Sequence, residues 1–164
     1  MTDEAGLAFV HDDGGRAHAG FKGTTGDCST RAIAIALDLP YAVVYDDLTA
    51  LGKTCRLTKR HPKPCYARTG VCMKVLKRYL TSKAWTWHPI MGIGTGTTVH
   101  LRRSELPKNG RFIVRISKHV TAVVNGELRD THDPSDDGTR AVYGIWHPRN
   151  EVLKFRPSVY ADEA

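Results

Sequence analysis

The chain has 164 residues, 41% hydrophobic and 25% charged, with a formal net charge of +7. That is enough for one domain with a core and too apolar for a disordered chain. No run of 18 apolar residues is present, which excludes a membrane-spanning helix, and the acidic start Met1-Thr2-Asp3-Glu4-Ala5-Gly6 lacks the apolar segment of a secretory signal, so a cytoplasmic protein with no membrane partner is expected.

Leu7 to His11 has the character of a short strand, closed by Asp12-Asp13-Gly14-Gly15, and residues 16–27, rich in Gly and Thr, form a loop. A first helix is expected from Asp27 or Cys28 to Leu37, broken by Leu39-Pro40. A second runs from Tyr41 to Leu51, with Val44, Leu48 and Leu51 at helical spacing, and stops at Gly52. Residues 52–69 form a basic, proline-containing loop, long for a compact domain. Gly70 to Leu80 reads as a third helix, with Val71, Val75 and Leu76 on one side. Trp85-Thr86-Trp87 alternates like a strand, and Met91 to Thr97 is a glycine-rich loop. Short strands are expected at Val99 to Leu101, Arg111 to Ile116, Ala141 to Trp146 and Val152 to Phe155. Residues 119–132 form a hairpin, with Asn125-Gly126 as its two-residue turn. Helices first and strands second predict a single α+β domain over 1–164, its helical part (about 27–80) packed on a C-terminal antiparallel sheet (about 85–156).

The charge is unevenly spread. Between Asp47 and Glu105 there is no acidic residue, while Lys53, Arg56, Lys59, Arg60, Lys63, Arg68, Lys74, Lys77, Arg78, Lys83, Arg102 and Arg103 fall in that interval. One-sided charge of this kind fits an acidic partner at the 53–103 region, or simply a solvated basic face.

Cys28 carries the chemical argument. It opens the first helix directly after Gly26-Asp27, where unpaired backbone N–H groups and the helix dipole both favour thiolate over thiol. A thiol is a poor nucleophile until an imidazole takes its proton, and the imidazole needs a third group to orient it. His119 opens the hairpin and acids lie on its return strand, in the chain order Cys, His, Asp. A two-residue turn at Asn125-Gly126 sets Val124 opposite Glu127 and His119 opposite His132, so residues 119, 121, 128, 130 and 132 share one face. Asp130 lies diagonal to His119 on that face, and Asp133 points the other way unless the register shifts by one. Each residue alone has a plainer role: a small buried Cys, a surface His at a strand end, a turn Asp.

These motifs resemble a known family. Gly26-Asp27-Cys28 leading into a helix is similar to the Asp-Cys helix start of papain-like cysteine peptidases, in particular the bacteriocin-processing (double-glycine) peptidases. Glu105-Leu106-Pro107, Gly110-Arg111-Phe112-Ile113-Val114, the run from His119 to Val124, and His132-Asp133-Pro134 resemble their later half, where a strand leads to a His hairpin ending in Asp-Pro. The chain also resembles small phage and bacterial proteins that share a Gly-Asp-Cys-x-Thr-Arg-Ala start and a His…Asp-Gly…Asp-Thr-x-Asp hairpin, with Asn125 here in place of the first Asp. The resemblance spans roughly residues 14–146. It implies a papain-like fold, Cys28 as nucleophile, His119 as base and Asp133 as orienting acid by the Asp-Pro match. The hairpin register favours Asp130, so both acids stay candidates. One departure stands out: the family's oxyanion-hole Gln, about six residues before the Cys, is replaced by Lys22, with Thr24 and Thr25 closer in, and the chain contains no Gln at all.

Other patterns have weaker claims. Cys55, His61, Cys65 and Cys72 could supply a zinc site, but their spacing matches no common finger and free thiols are expected. Gly92 to Thr98 lacks the Lys-Ser/Thr of a phosphate loop and is expected to border the active-site cleft. Trp85, Trp87 and Trp146 are expected in the core, and Arg31 in an ion pair with Asp46 or Asp47. The sequence therefore predicts a thiol hydrolase, a peptidase, isopeptidase or amidase, that acts on a peptide or protein substrate through an acyl-enzyme and needs no cofactor. The competing class is a papain-fold binding or inhibitory protein, phage-encoded, that holds an acidic partner through its basic face.

Overall fold

Three helices cover one face of a six-stranded sheet in a computed structural model that describes residues 6–23, 25–92, 94 and 96–152. The elements in chain order are β1 (Ala8–His11), α1 (Cys28–Leu37), α2 (Tyr41–Lys53), α3 (Met73–Ser82), β2 (Trp85–Pro89), β3 (Arg111–Ile116), β4 (His119–Val124), β5 (Glu127–Asp130) and β6 (Gly144–Pro148). The sheet order is β1-β5-β4-β3-β6-β2. The fold is α+β, as expected, but the sheet is mixed rather than antiparallel. β1 runs parallel to β5, with Ala8 opposite Glu127 and His11 opposite Asp130, and every other pairing is antiparallel. The N-terminal strand thus joins the sheet before the helices begin. A parallel pairing needs a long crossover, and here the three helices and β2, β3 and β4 lie between the two partners.

Strict alternation along β3 and β4 splits the apolar side chains into two cores. Ile113, Val120, Ala122 and Val124 pack under the helices, while Phe112, Val114, Ile116, Val123 and Leu128 face a second core closed by Leu7, Val99, Leu101 and Leu106. α1 is buried along most of its length, from Ser29 to Ala36. Its Ala32, Ala34 and Ala36 allow the backbone to lie close on β4. It ends at Asp38, which takes a left-handed conformation (φ 53°) and donates its N–H to the Ala34 and Ile35 carbonyls. Arg111 caps the same end from the sheet, donating to the Ile35 carbonyl at 3.0 Å.

Several element boundaries move for local reasons. α2 does not stop at Gly52 but continues to Lys53. Gly52 is there because the Cys65 carbonyl lies against it: a Cβ at Gly52 would sit 1.9 Å from that oxygen. α3 starts at Met73, not Gly70, because Tyr66 and Gly70 pair in a bridge and Gly70 has φ 130°. The expected strand at 99–101 is only a bridge between His100 and Ala141, and the last described strand starts at Gly144 rather than Ala141. Of the strand expected at Val152 to Phe155, residues 153–155 lie outside the described residues. Trp85 and Trp146 are buried as expected, and Trp87 packs on Trp146 with ring centroids 5.2 Å apart.

Gly52→Ala forces the Cys65 loop off α2. The expected cost is about 1–3 kcal/mol, read as a lower urea midpoint at unchanged denaturant slope.

Candidate active site

A cleft of about 500 Å³ opens where the start of α1 meets the β3–β4 turn. Cys28 and His119 both line it, and the segment from Thr69 to Met73 contributes to the opposite wall. The local chemistry of each side chain follows from its element. Cys28 is the first residue of α1, so its thiol sits among the unpaired N–H groups of the first turn. His119 follows the tight Ser117-Lys118 turn, where Lys118 takes φ 57°, and opens β4. The β4–β5 pairing is the one a two-residue turn dictates, with Val124 opposite Glu127, Val123 opposite Leu128 and Ala122 opposite Arg129. Continued, that register sets His119 beside His132, and their ring centroids are 5.3 Å apart.

His119 Nε2 lies 2.7 Å from Asp130 Oδ2. Nδ1 is the ring nitrogen that Asp130 leaves open, and Cys28 lies close enough to the imidazole for each to shift the other's pKa. Three of the four sequence candidates are thus brought together. The fourth, Asp133, accepts a hydrogen bond from the Ser135 N–H at 2.9 Å and holds the turn after β5.

Asp130 is 3% exposed, and its second oxygen is also occupied: Oδ1 accepts from the Thr131 N–H at 2.7 Å and from Arg31 Nη2 at 3.4 Å. Arg31 reaches back across the helix start to Asp27, the residue before Cys28, in a direct ion pair. Asp27 is itself 1% exposed, accepts from the Tyr41 hydroxyl at 2.5 Å and pairs with Arg16 at 3.3 Å. The expected pairing of Arg31 with Asp46 or Asp47 does not form; Asp47 instead accepts from the Tyr79 hydroxyl at 3.1 Å. Arg31 lies one turn inside α1 on the side that faces the sheet, away from α2. Sequence reasoning misses Asp27 as a structural acid, although its place four residues before Arg31 is a visible pairing signal.

Burial opposes every charge in this group, and the partners outweigh it. Desolvation pushes the Cys28 thiol up, yet the His119 hydrogen bond, the Val120 N–H and the charges of His119 and Arg31 bring it below its ordinary value. Desolvation would lower His119, but Asp130 and Cys28 raise it to about 9. Asp130 is likewise depressed by His119, Thr121 and the Thr131 N–H, against its burial. The three shifts share one sense: each favours the charged form of its group, at Cys28, His119 and Asp130 alike.

The other expectations resolve separately. Lys22, at the position of the missing Gln, is exposed, and its carbonyl accepts from Arg68. Thr25 lines the cleft, and Thr24 lies outside the described residues. None of the described residues of the glycine-rich 91–98 loop lines the cleft, contrary to expectation. That loop follows β2, which is an outer strand of the sheet, two places beyond β3. Cys55, Cys65 and Cys72 converge where α2 ends and α3 begins, and Cys72 is within hydrogen-bonding reach of the other two thiols. His61 is exposed in a tight turn closed with Thr58, and among the described residues no group of three His, Cys, Asp or Glu is placed to hold a metal ion. The basic residues from Lys53 to Lys83 are all solvent-exposed. No helix among the described residues is long and apolar enough to cross a membrane. No family model matches the chain, and no curated protein or solved structure matches it, so the site must be read from its own chemistry.

Two outcomes follow from these ionisations. The Cys28 alkylation rate should rise with pH at a midpoint below the ordinary thiol value of 9.0. In His119→Gln the midpoint should move up, because burial is then opposed only by the Val120 N–H and Arg31; rates with iodoacetamide, read by peptide mass, check this. The His119–Asp130 pair should also show in folding. A raised His contributes stability in full below its unfolded value of 6.5, lost as pH rises through about 9, and a depressed Asp contributes above 3.8, lost as pH falls. The stability gap between the wild type and Asp130→Asn should therefore be widest between pH 3.8 and 6.5 and narrow on both sides, measured by urea melts across pH.

Proposed function

We propose that this chain is a thiol hydrolase of papain-like type, a peptidase, isopeptidase or amidase, acting through an acyl-enzyme on Cys28. The observation that carries the reading is the arrangement Cys28–His119–Asp130: the imidazole is held at Nε2 by Asp130 and lines one cleft with the Cys28 thiol. Asp130 fixes the ring and stabilises the imidazolium, which in turn holds the thiolate. The Cys28 sulfur adds to the substrate carbonyl, forming a C–S bond and an oxyanion. The unpaired first-turn N–H groups of α1 and the Thr25 hydroxyl are the donors available to that oxyanion. His119 passes its proton to the departing amine as the C–N bond breaks. Water, deprotonated by the same imidazole, then cleaves the thioester, returning the acid and the thiol.

The alternative orienting acid gives the test. Against an amide substrate found by screening a fluorogenic library, Cys28→Ala should be inactive, and intact mass should show an acyl adduct only on chains that retain Cys28. Asp130→Ala should lower kcat by at least tenfold, up to the roughly four decades that the amide swap costs a serine triad. Asp133→Ala should keep its activity and lose about 1 kcal/mol of stability or less. Full activity in Asp130→Ala would reduce the site to a dyad.

A further inference from the structure

The face of β3 that packs under α1 carries Arg111, Ile113 and Arg115 in alternation. Arg111 satisfies its charge at the α1 C-terminus and Ile113 is fully buried. Arg115 is the exception. It extends the same row past the start of α1, into the cleft, where it is half-buried beside the nucleophile. Among the described residues no carboxylate pairs with it, and its neighbour across the sheet is Gly144, which has no side chain to offer. Lys118, at the tip of the β3–β4 turn, also lines the cleft and has no acidic partner among the described residues. Among the described residues no Asp or Glu lines the cleft. Arg31 is there too, but Asp27 and Asp130 neutralise it.

A half-buried guanidinium without a counter-ion is costly, and a concave wall concentrates its field. Two uncompensated cations beside a nucleophile form a recognition site for an anion, and a guanidinium suits a carboxylate in particular. We infer that the Cys28 cleft selects substrates with a carboxylate close to the scissile bond, bound by Arg115 and Lys118. The inference rests on Cys28 being the reacting group of the site, and it names the class of substrate: an acidic peptide or amide.

The test uses two alkylating agents of nearly equal size, iodoacetate and iodoacetamide, on the intact protein at one fixed pH near 7.5, with the Cys28 adduct read by peptide mass. The quantity is the ratio of the two rates within each variant. The imidazolium of His119 also favours the anionic reagent, so the decisive comparison is between variants. The ratio should fall on the order of fivefold in Arg115→Gln and in Lys118→Gln, the worth of one unit charge about 4 Å away in water. It should be restored in Arg115→Lys, and in the wild type it should fall as salt rises. Lys118 is exposed at a turn, so its replacement tests the idea even if Arg115→Gln folds poorly. An unchanged ratio in both neutral variants overturns the anionic site, and leaves the nucleophile untouched if Cys28 still reacts far faster than Cys55, Cys65 and Cys72. A slow Cys28 whose ratio still depends on Arg115 and Lys118 overturns the nucleophile and keeps the anionic site.

Discussion

The buried guanidinium of Arg31 is the interaction on which the site depends. It joins Asp27, the residue before Cys28, to Asp130, the residue that holds the His119 imidazole. Helix and hairpin are 99 residues apart in sequence where these two meet. Apolar packing of α1 on β4 brings them together but is non-directional, and it would tolerate sliding of the helix along the strand. Ion-paired hydrogen bonds are directional, so the Arg31–Asp130 contact, at 3.4 Å, limits that last degree of freedom. Burial raises the stakes. With Asp27 and Asp130 each nearly inaccessible, losing Arg31 would leave Asp27 to Arg16 and the Tyr41 hydroxyl, and Asp130 to His119 and the Thr131 N–H, and would cut the direct link between helix and hairpin.

That arrangement also settles how charge is distributed around the thiol. Asp27 next to Cys28 would oppose a thiolate if it stood alone. Arg31, Arg16 and the Tyr41 hydroxyl absorb its charge, so the helix start keeps its positive character. Asp130 acts one step further out, through His119. The net result is a site whose own acids are spent within its supporting network, while the cleft surface carries Arg115 and Lys118.

The wall opposite His119 is built from a less regular segment. Residues 54–72 fold back on the end of α2, held by the close approach of Cys65 to Gly52 and by the Tyr66–Gly70 bridge. Its three thiols gather near the start of α3, where Cys72 is the N-cap residue with extended backbone and makes no side-chain cap hydrogen bond. Val71 and Met73, on either side of Cys72, line the cleft that holds Cys28 and His119. The shape of that wall therefore depends on how this loop is anchored to α2.

Local patterning in the chain dictates the elements and much of the site. Apolar periodicity marks α1 and α2, alternation marks β3 to within its observed ends, and Asn125-Gly126 fixes the hairpin register. Register is a local property, set by turn length and a period of two, and for that reason turn chemistry alone separates Asp130 from Asp133. The features that no local pattern reveals involve partners distant in the chain. The parallel pairing of β1 with β5 depends on backbone hydrogen bonds that leave no trace in either strand's composition. Arg31 pairs with Asp27 and Asp130 rather than Asp46 and Asp47 because of which side of α1 faces the sheet, and Gly52 serves a close backbone approach rather than a helix stop. Arg115 reads in the sequence as one basic residue in an alternating strand; only the place where α1 begins leaves it in a cleft, with no carboxylate partner among the described residues, rather than covered by the helix.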